Sequence, residues 1–119
     1  MPKAELMVFS SPVSPEREAD FNQWYDEVHT PDVLAVPGVI AASRLVASDV
    51  QPTPEPCPGG HRHLVIYTIE APDPQAVLAE ILRRGRGGEW DMGDALDLVE
   101  RQPISVLYET NSRRQIGAP

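Results

Sequence analysis

The spacing of apolar and polar positions changes period along this 119-residue chain, and each change marks an element. Ala4–Ser10 (AELMVFS) is a short apolar run rich in Val, Leu and Phe, which predicts a buried strand ended by Ser11–Pro12. Phe21, Trp24, Tyr25 and Val28 fall at i, i+3, i+4 and i+7, the apolar stripe of a helix. Ser14 is placed to cap that helix, Pro15 to occupy its first position, and Glu16 and Glu18 to sit at the positive end of its dipole. The helix is expected to run to Val28 or His29, because Pro31 pushes the residue before it out of the α region. A short turn over 32–36 then ends at Pro37–Gly38.

Val39–Ser48 (VIAASRLVAS) predicts a second strand, apolar on both faces except at Arg44. The proline- and glycine-rich stretch DVQPTPEPCPGG over 49–60 supports no regular element and reads as an exposed connection. His61–Glu70 (HRHLVIYTIE) predicts a third strand, with Leu64 and Ile66 on one face and His63, Val65 and Tyr67 on the other. Asp73 caps a second helix with Pro74 at its first position, a buried side of Ala76, Val77, Leu78, Ile81 and Leu82, and a stop at Gly85. A glycine-rich loop with one turn of helix fills 86–102, and Ile104–Glu109 (ISVLYE) is the fourth strand. Residues 1–110 thus form one domain, followed by a polar tail over 111–119.

The order β-α-β-β-α-β predicts an α+β, ferredoxin-like fold with a four-stranded antiparallel sheet and both helices on one face. The strands are nevertheless apolar on both faces, as in Leu6 and Val8 against Met7 and Phe9. An uncovered apolar sheet face is rarely left in water, so a homodimer packed sheet against sheet is expected. A formal charge of −8 argues against nucleic acid and against an anionic membrane surface. No apolar run approaches the roughly 18–20 residues of a spanning helix, and MPKAELMVFSSP has no secretory pattern, so a cytoplasmic protein is expected. The single cysteine, Cys57, excludes an intrachain disulfide and a thiolate zinc cluster, and its proline-rich surroundings make a catalytic thiolate improbable.

The patterns WYDEVHTPDVLAVPGVIAASRL and EWDMGDALD, with a terminal strand ending LYE, resemble the EthD-like branch of the dimeric α+β barrel superfamily. The resemblance covers nearly the whole chain in the right order, and 24–45 and 89–97 are its most specific parts. It implies two ferredoxin-like protomers whose sheets pack into a barrel, each enclosing a cavity between sheet and helices or loops. Members include cofactor-free monooxygenases, polyketide cyclases, muconolactone isomerase-like enzymes and haem-handling proteins, so it implies the fold more narrowly than the reaction.

Several residue groups are candidates for chemistry. Asn22, Asp26 and His29 lie at i, i+4 and i+7 on a regular helix, so they would share one face beside Tyr25. A carboxylate three residues before a histidine can accept its ring N–H and raise its pKa, which prepares a general base; equally, such a stripe is often a solvated face. The His-x-Pro of His29 and Pro31 matches a signature of the resembled branch, which favours the site. His61 and His63 alternate on a strand, with His61 expected as a solvated strand-start residue and two ligands too few to expect a metal. His63 shares a face with Tyr67, and the two could form an imidazole–phenol pair that polarises a carbonyl, or a buried tyrosine bonded to a satisfied histidine. Arg44 needs a partner, such as Asp26, a carboxylate of a partner chain or a substrate carboxylate. Trp24 and Trp90 suit core or cavity wall, and Glu89–Asp94 suits a lid. No nucleophile elbow, P-loop or strand-following dinucleotide motif is present.

The expected function is a small enzyme without an organic cofactor or metal, acting by proton transfer on a hydrophobic or aromatic carbonyl compound. Cyclisation, isomerisation, dehydration and lyase-type elimination all fit. His29, Asp26 and Tyr67 are the expected catalytic residues, and Asn22, Trp24, Tyr25, Arg44, His63 and Trp90 the expected substrate-binding ones. A cofactor-independent monooxygenase of a phenol and a non-catalytic dimeric ligand-binding protein are the alternatives.

Overall fold

A computed structural model describes residues 1–117. Four strands, β1 (Lys3–Ser10), β2 (Val39–Val46), β3 (His63–Glu70) and β4 (Ile104–Glu109), form one sheet in the order β2-β3-β1-β4. Every neighbouring pair is antiparallel. This is the ferredoxin-like α+β arrangement the pattern of elements predicts. β1 sits at the centre because it is paired on both edges, with Leu6 opposite Tyr67 on one side and Leu107 on the other. The last two residues of the tail expected over 111–119 lie outside the described residues, and 111–117 form neither helix nor strand.

The period-two alternation decides which side chains the helices cover. Ala4 and Leu6 on β1 and His63, Val65, Tyr67 and Ile69 on β3 are buried. Their neighbours Met7, Phe9, Leu64 and Ile66 are only partly covered, and Leu45 and Tyr108 on the same outer face are exposed. On the inner face α1 (Glu18–Trp24) buries Phe21 and Trp24, and α2 (Thr30–Leu34) buries Val33. From the other side α3 (Pro74–Arg86) inserts Val77 and Ile81. The Asp73 carboxylate accepts the N–H groups of Gln75 and Ala76, as its capping position predicts.

The first helix departs from expectation at its middle. A 3₁₀ turn (Pro15–Arg17) leads into α1, and Ser14 makes no side-chain cap bond. Between α1 and α2 lies a π segment, Tyr25–His29, in which the Thr30 N–H bonds to the carbonyl of Tyr25, five residues back. Pro31 therefore does not stop the helix. Its ring would collide with the Glu27 carbonyl in a regular α-helix, and the wider turn just before it accommodates the ring without breaking the chain. β2 ends at Val46 rather than Ser48, and β3 starts at His63 rather than His61. α3 runs one residue beyond Gly85 and is capped at Gly87. No helix forms over 87–102; there the Asp97 carboxylate accepts the N–H groups of Val99, Glu100 and Arg101 and builds a local turn.

Gly38, at φ +99°, makes the turn into β2, and a Cβ there would lie 2.6 Å from Val77 Cγ2 in the core. Gly60, at φ +74°, has open space around it. Gly38→Ala should cost about 3 kcal/mol, combining backbone strain with overpacking, and Gly60→Ala about 1 kcal/mol from strain alone. Urea-denaturation midpoints of the two variants check this ordering.

Candidate functional site

Two sites lie on the inner face of the sheet, and the aromatic anchor of α1 stands between them. Phe21 and Tyr25 meet edge to face with ring centroids 5.0 Å apart. Tyr25 lines a cavity of about 340 Å³ enclosed by the sheet, α3 and the 90–103 loop. The Arg44 guanidinium lies over the Tyr25 ring, 4.7 Å from its centroid.

The cavity is apolar almost throughout, with Leu6, Val8, Val33, Leu78, Ile81, Trp90, Met92 and Leu96 in its wall. His29 and Tyr67 are its main polar members. His29 stacks on Trp24 at 4.7 Å and 18° between planes, and meets Trp90 edge to face at 5.6 Å. Trp24 in turn donates its indole N–H to the Asp91 carbonyl at 2.8 Å, and the Asp91 carboxylate accepts the Gly93 N–H. The 89–94 segment is thus pinned to the helix, with Trp90 and Met92 delivered to the cavity. Trp90 is cavity wall and Trp24 is buried core behind His29, the two roles their sequence context leaves open.

Three polar atoms are buried without a hydrogen-bond partner: His29 Nδ1 and Tyr67 Oη, on residues that line the cavity, and Thr30 Oγ1 on the residue after His29. The Tyr67 hydroxyl and Thr30 lie close enough to influence each other, yet complete no well-formed bond. Each such orphan costs about 1–3 kcal/mol, so the group is kept at the expense of stability. Burial pushes the His29 imidazole down to about 4, against a smaller upward pull from Asp32. Burial also pushes the Tyr67 and Tyr25 phenols up. At neutral pH the cavity therefore holds an uncharged imidazole and an uncharged phenol.

This corrects the expected Asp26–His29 pair. The π segment adds one residue to the turn, which rotates the downstream residues by about 100° relative to a regular helix. His29 accordingly lines the cavity, and Asp26 remains in a polar cleft with Arg44, where its carboxylate accepts from Nη1 at 3.0 Å. Asp26 does not orient His29, and the imidazole pKa is lowered rather than raised.

The cleft, about 400 Å³ and open, is lined by Glu18, Asn22, Asp26, Arg44 and His63. Arg44 is held there by Asn22 Oδ1 at 2.8 Å as well as by Asp26. His63 packs on Phe21 at 4.8 Å, with Nε2 3.7 Å from a Glu18 carboxylate oxygen. Burial lowers its pKa, and Glu18 opposes that shift. His63 and Tyr67 do share the inner face, but His63 borders the cleft and Tyr67 the cavity, so they form no imidazole–phenol pair. His61 is buried rather than solvated. Its Nδ1 lies 2.7 Å from Ser11 Oγ and its Nε2 2.9 Å from the Gln102 carbonyl, which ties the 86–102 loop to the end of β1. With both nitrogens engaged, His61 is a structural clip. Among the described residues no three of His, Cys, Asp and Glu gather as metal ligands would, and no helix is long and apolar enough to cross a membrane.

Met92 lines the cavity from within the 89–94 segment singled out by sequence, whereas Thr30, which borders His29 and Tyr67, is not among the residues singled out. Thr30 sits inside the matched His-x-Pro, between His29 and Pro31, and that is the signal by which it could have been found.

By sequence no family model matches the chain, and no curated protein does. By structure it is similar to an ethyl tert-butyl ether D (EthD) family protein from Bacillus halodurans C-125, at a TM-score of 0.55 and 15% identity, covering 92% of this chain and 99% of the other. It is also similar to a protein from Shewanella loihica PV-4 described as a "putative monooxygenase", at a TM-score of 0.52 and 14% identity, covering 99% of each chain. The fold is therefore EthD-like, as the motifs suggest.

A neutral buried histidine leaves a signature in stability. The unfolded imidazole binds its proton near pH 6.5 and the folded one near 4, so the unfolded chain binds more protons between these values. Stability is full above pH 6.5 and falls as pH drops towards 4, by about 3 kcal/mol in total from this group. His29→Leu should shrink the loss between pH 7 and pH 4.5 by about 2–3 kcal/mol relative to the unaltered protein. Urea unfolding at the two pH values measures it.

Proposed function

We propose that the protein is a small enzyme acting on a hydrophobic or aromatic carbonyl compound by proton transfer, with the apolar cavity as its active site. The observation that carries this reading is that His29 and Tyr67, which line a largely apolar cavity, each bury a polar atom without a hydrogen-bond partner, Nδ1 and Oη, with a third such atom, Thr30 Oγ1, on the residue next to His29. Buried polar groups are normally paired, and sites that leave them open do so where a ligand's oxygen completes the set.

The two neutral groups divide the work. Tyr67, its pKa raised by burial, keeps its proton and donates a hydrogen bond to the substrate carbonyl, whose oxygen gains charge as an adjacent C–H is broken. In the tautomer protonated on Nε2, the Nδ1 of His29 accepts that proton. An imidazole whose conjugate acid has a pKa of about 4 is a weak base, so abstraction depends on the Tyr67 hydrogen bond to acidify the substrate. The resulting imidazolium is correspondingly a strong acid, and it returns the proton readily to a second carbon or to a leaving oxygen. The first outcome is isomerisation or cyclisation, the second dehydration or elimination. Trp24 holds the imidazole plane by stacking, and Thr30 positions the phenol. Asn22, Asp26 and Arg44 act behind the Tyr25 ring by fixing the helix against β2.

A second reading has its own support. The structural likeness to a protein described as a "putative monooxygenase" fits a dry cavity in which a phenol, hydrogen-bonded by His29, meets dioxygen. Oxygen uptake with a candidate phenol separates it from the first.

The apolar outer face of the sheet, with Met7, Phe9, Leu45, Leu64, Ile66 and Val106 in register, supports a homodimer packed sheet against sheet. Ile66→Asp should convert that dimer to a monomer in light scattering after size exclusion.

For turnover, His29→Ala and Tyr67→Phe should each lower kcat/KM by about 10²–10⁴-fold. The rate should stay level from about pH 5.5 to 9 and fall only on the acid side towards pH 4, as His29 takes a proton. An acid limb centred near 6.5, or full turnover in His29→Ala, would assign the chemistry elsewhere.

A further inference from the structure

Resting on the reading of the cavity as the active site, we propose that its ligand carries a carboxylate, held by Arg86 at the cavity rim. Among the residues that line the cavity Arg86 alone is charged, and no acid accompanies it. It is exposed, whereas Tyr67 and Tyr25 are buried, so it marks the open end and they mark the inner one. Leu82 and Leu98, both partly in solvent, flank it in the same lining.

The charge pattern of the chain sets Arg86 apart. With 18 acidic residues against 10 basic ones, carboxylates are plentiful, and most cations have found one. Lys3, Arg17, Arg44, Arg62, Arg83, Arg84 and Arg101 each lie within 4 Å of a carboxylate. On α3 itself, Arg83 pairs with Glu80 and Glu89 and Arg84 with Glu80, and Arg86 in the next half-turn has no such partner. Among the described residues the only other arginines without a carboxylate, Arg113 and Arg114, lie in the exposed tail. A guanidinium offers a planar fork that matches a carboxylate with two parallel hydrogen bonds. An apolar ligand body in the cavity, a carbonyl or hydroxyl oxygen at Tyr67 and His29, and a carboxylate at the rim would engage His29, Tyr67 and Arg86 of the lining wall at once. The ligand class is an aromatic or alkyl acid with a second oxygen function remote from the acid. The net negative charge of the protein works against anions at long range, so the rim arginine also serves to admit this one class.

Calorimetric titration with 6-hydroxy-2-naphthoate and with 2-naphthol tests this directly. The naphthoate should bind about tenfold more tightly, the gain being held down by the exposure of Arg86, and the ratio should fall towards one in Arg86→Gln. Arg114→Gln removes the same charge from the tail and should keep the preference. Equal affinities in the unaltered protein, or a preference that survives Arg86→Gln, would overturn the role of Arg86 while leaving the cavity as the binding site. If neither probe binds, the cavity reading fails and the rim assignment with it.

Discussion

The geometry of the inner face depends on one hydrogen bond, from the Thr30 N–H to the carbonyl of Tyr25. It spans five residues instead of four, and the extra residue turns the second half of the helix by about 100° against the first. Upstream, Asn22 and Asp26 stay on Arg44 and bind the helix to β2. Downstream, His29 comes to the cavity and Val33 to the core. Pro31 makes the wide turn useful, since it lacks an N–H and would crowd the preceding turn of a regular helix. A regular helix ended at His29 would hold the imidazole beside Asp26, charged and wet. The wide turn instead gives a neutral imidazole in an apolar wall.

That separation explains the electrostatics of both sites. In the cleft Arg44 is balanced by Asp26, and its guanidinium lies over the rings of Tyr25 and Phe21, so its charge is met by a carboxylate and two aromatic faces. At the inner end of the cavity charge is excluded: His29 is driven towards its neutral form and Tyr67 is kept protonated by the same loss of solvent. An apolar wall strengthens each hydrogen bond made to a ligand and makes each unmade one costly, which is the physical basis for proposing a ligand oxygen at the orphan atoms. The 89–94 loop contributes through Trp24, whose bond to Asp91 fixes the segment that carries Trp90 and Met92.

Much of the fold was legible in the sequence, because period-two and period-3.6 patterns are dictated by burial on one face. The split of β3 into Leu64 and Ile66 against His63, Val65 and Tyr67 comes from alternation alone, and the cap at Asp73 from its place before Pro74. Arg44 could be recognised as needing a partner because an unpaired charge in a strand is expensive. Residue type and spacing single out candidate residues but not their arrangement. Pro31 reads as a helix stop, and nothing in residue spacing distinguishes a stop from a wide turn that lets the helix continue. The face that spacing assigns to His29 is therefore displaced, and the residue pairs with the cavity wall instead of Asp26. His61 was misplaced for a different reason: its partners, Ser11 and Gln102, are 50 and 41 residues away, and no local pattern reports them.

The central claim is that His29 is held uncharged in the cavity wall, and nitrogen-detected NMR of its imidazole tests it most directly. The resonances should remain those of a neutral ring from pH 8 down to about 5, with a midpoint near 4. A midpoint at or above 6.5 would show a charged, carboxylate-paired histidine and contradict the account.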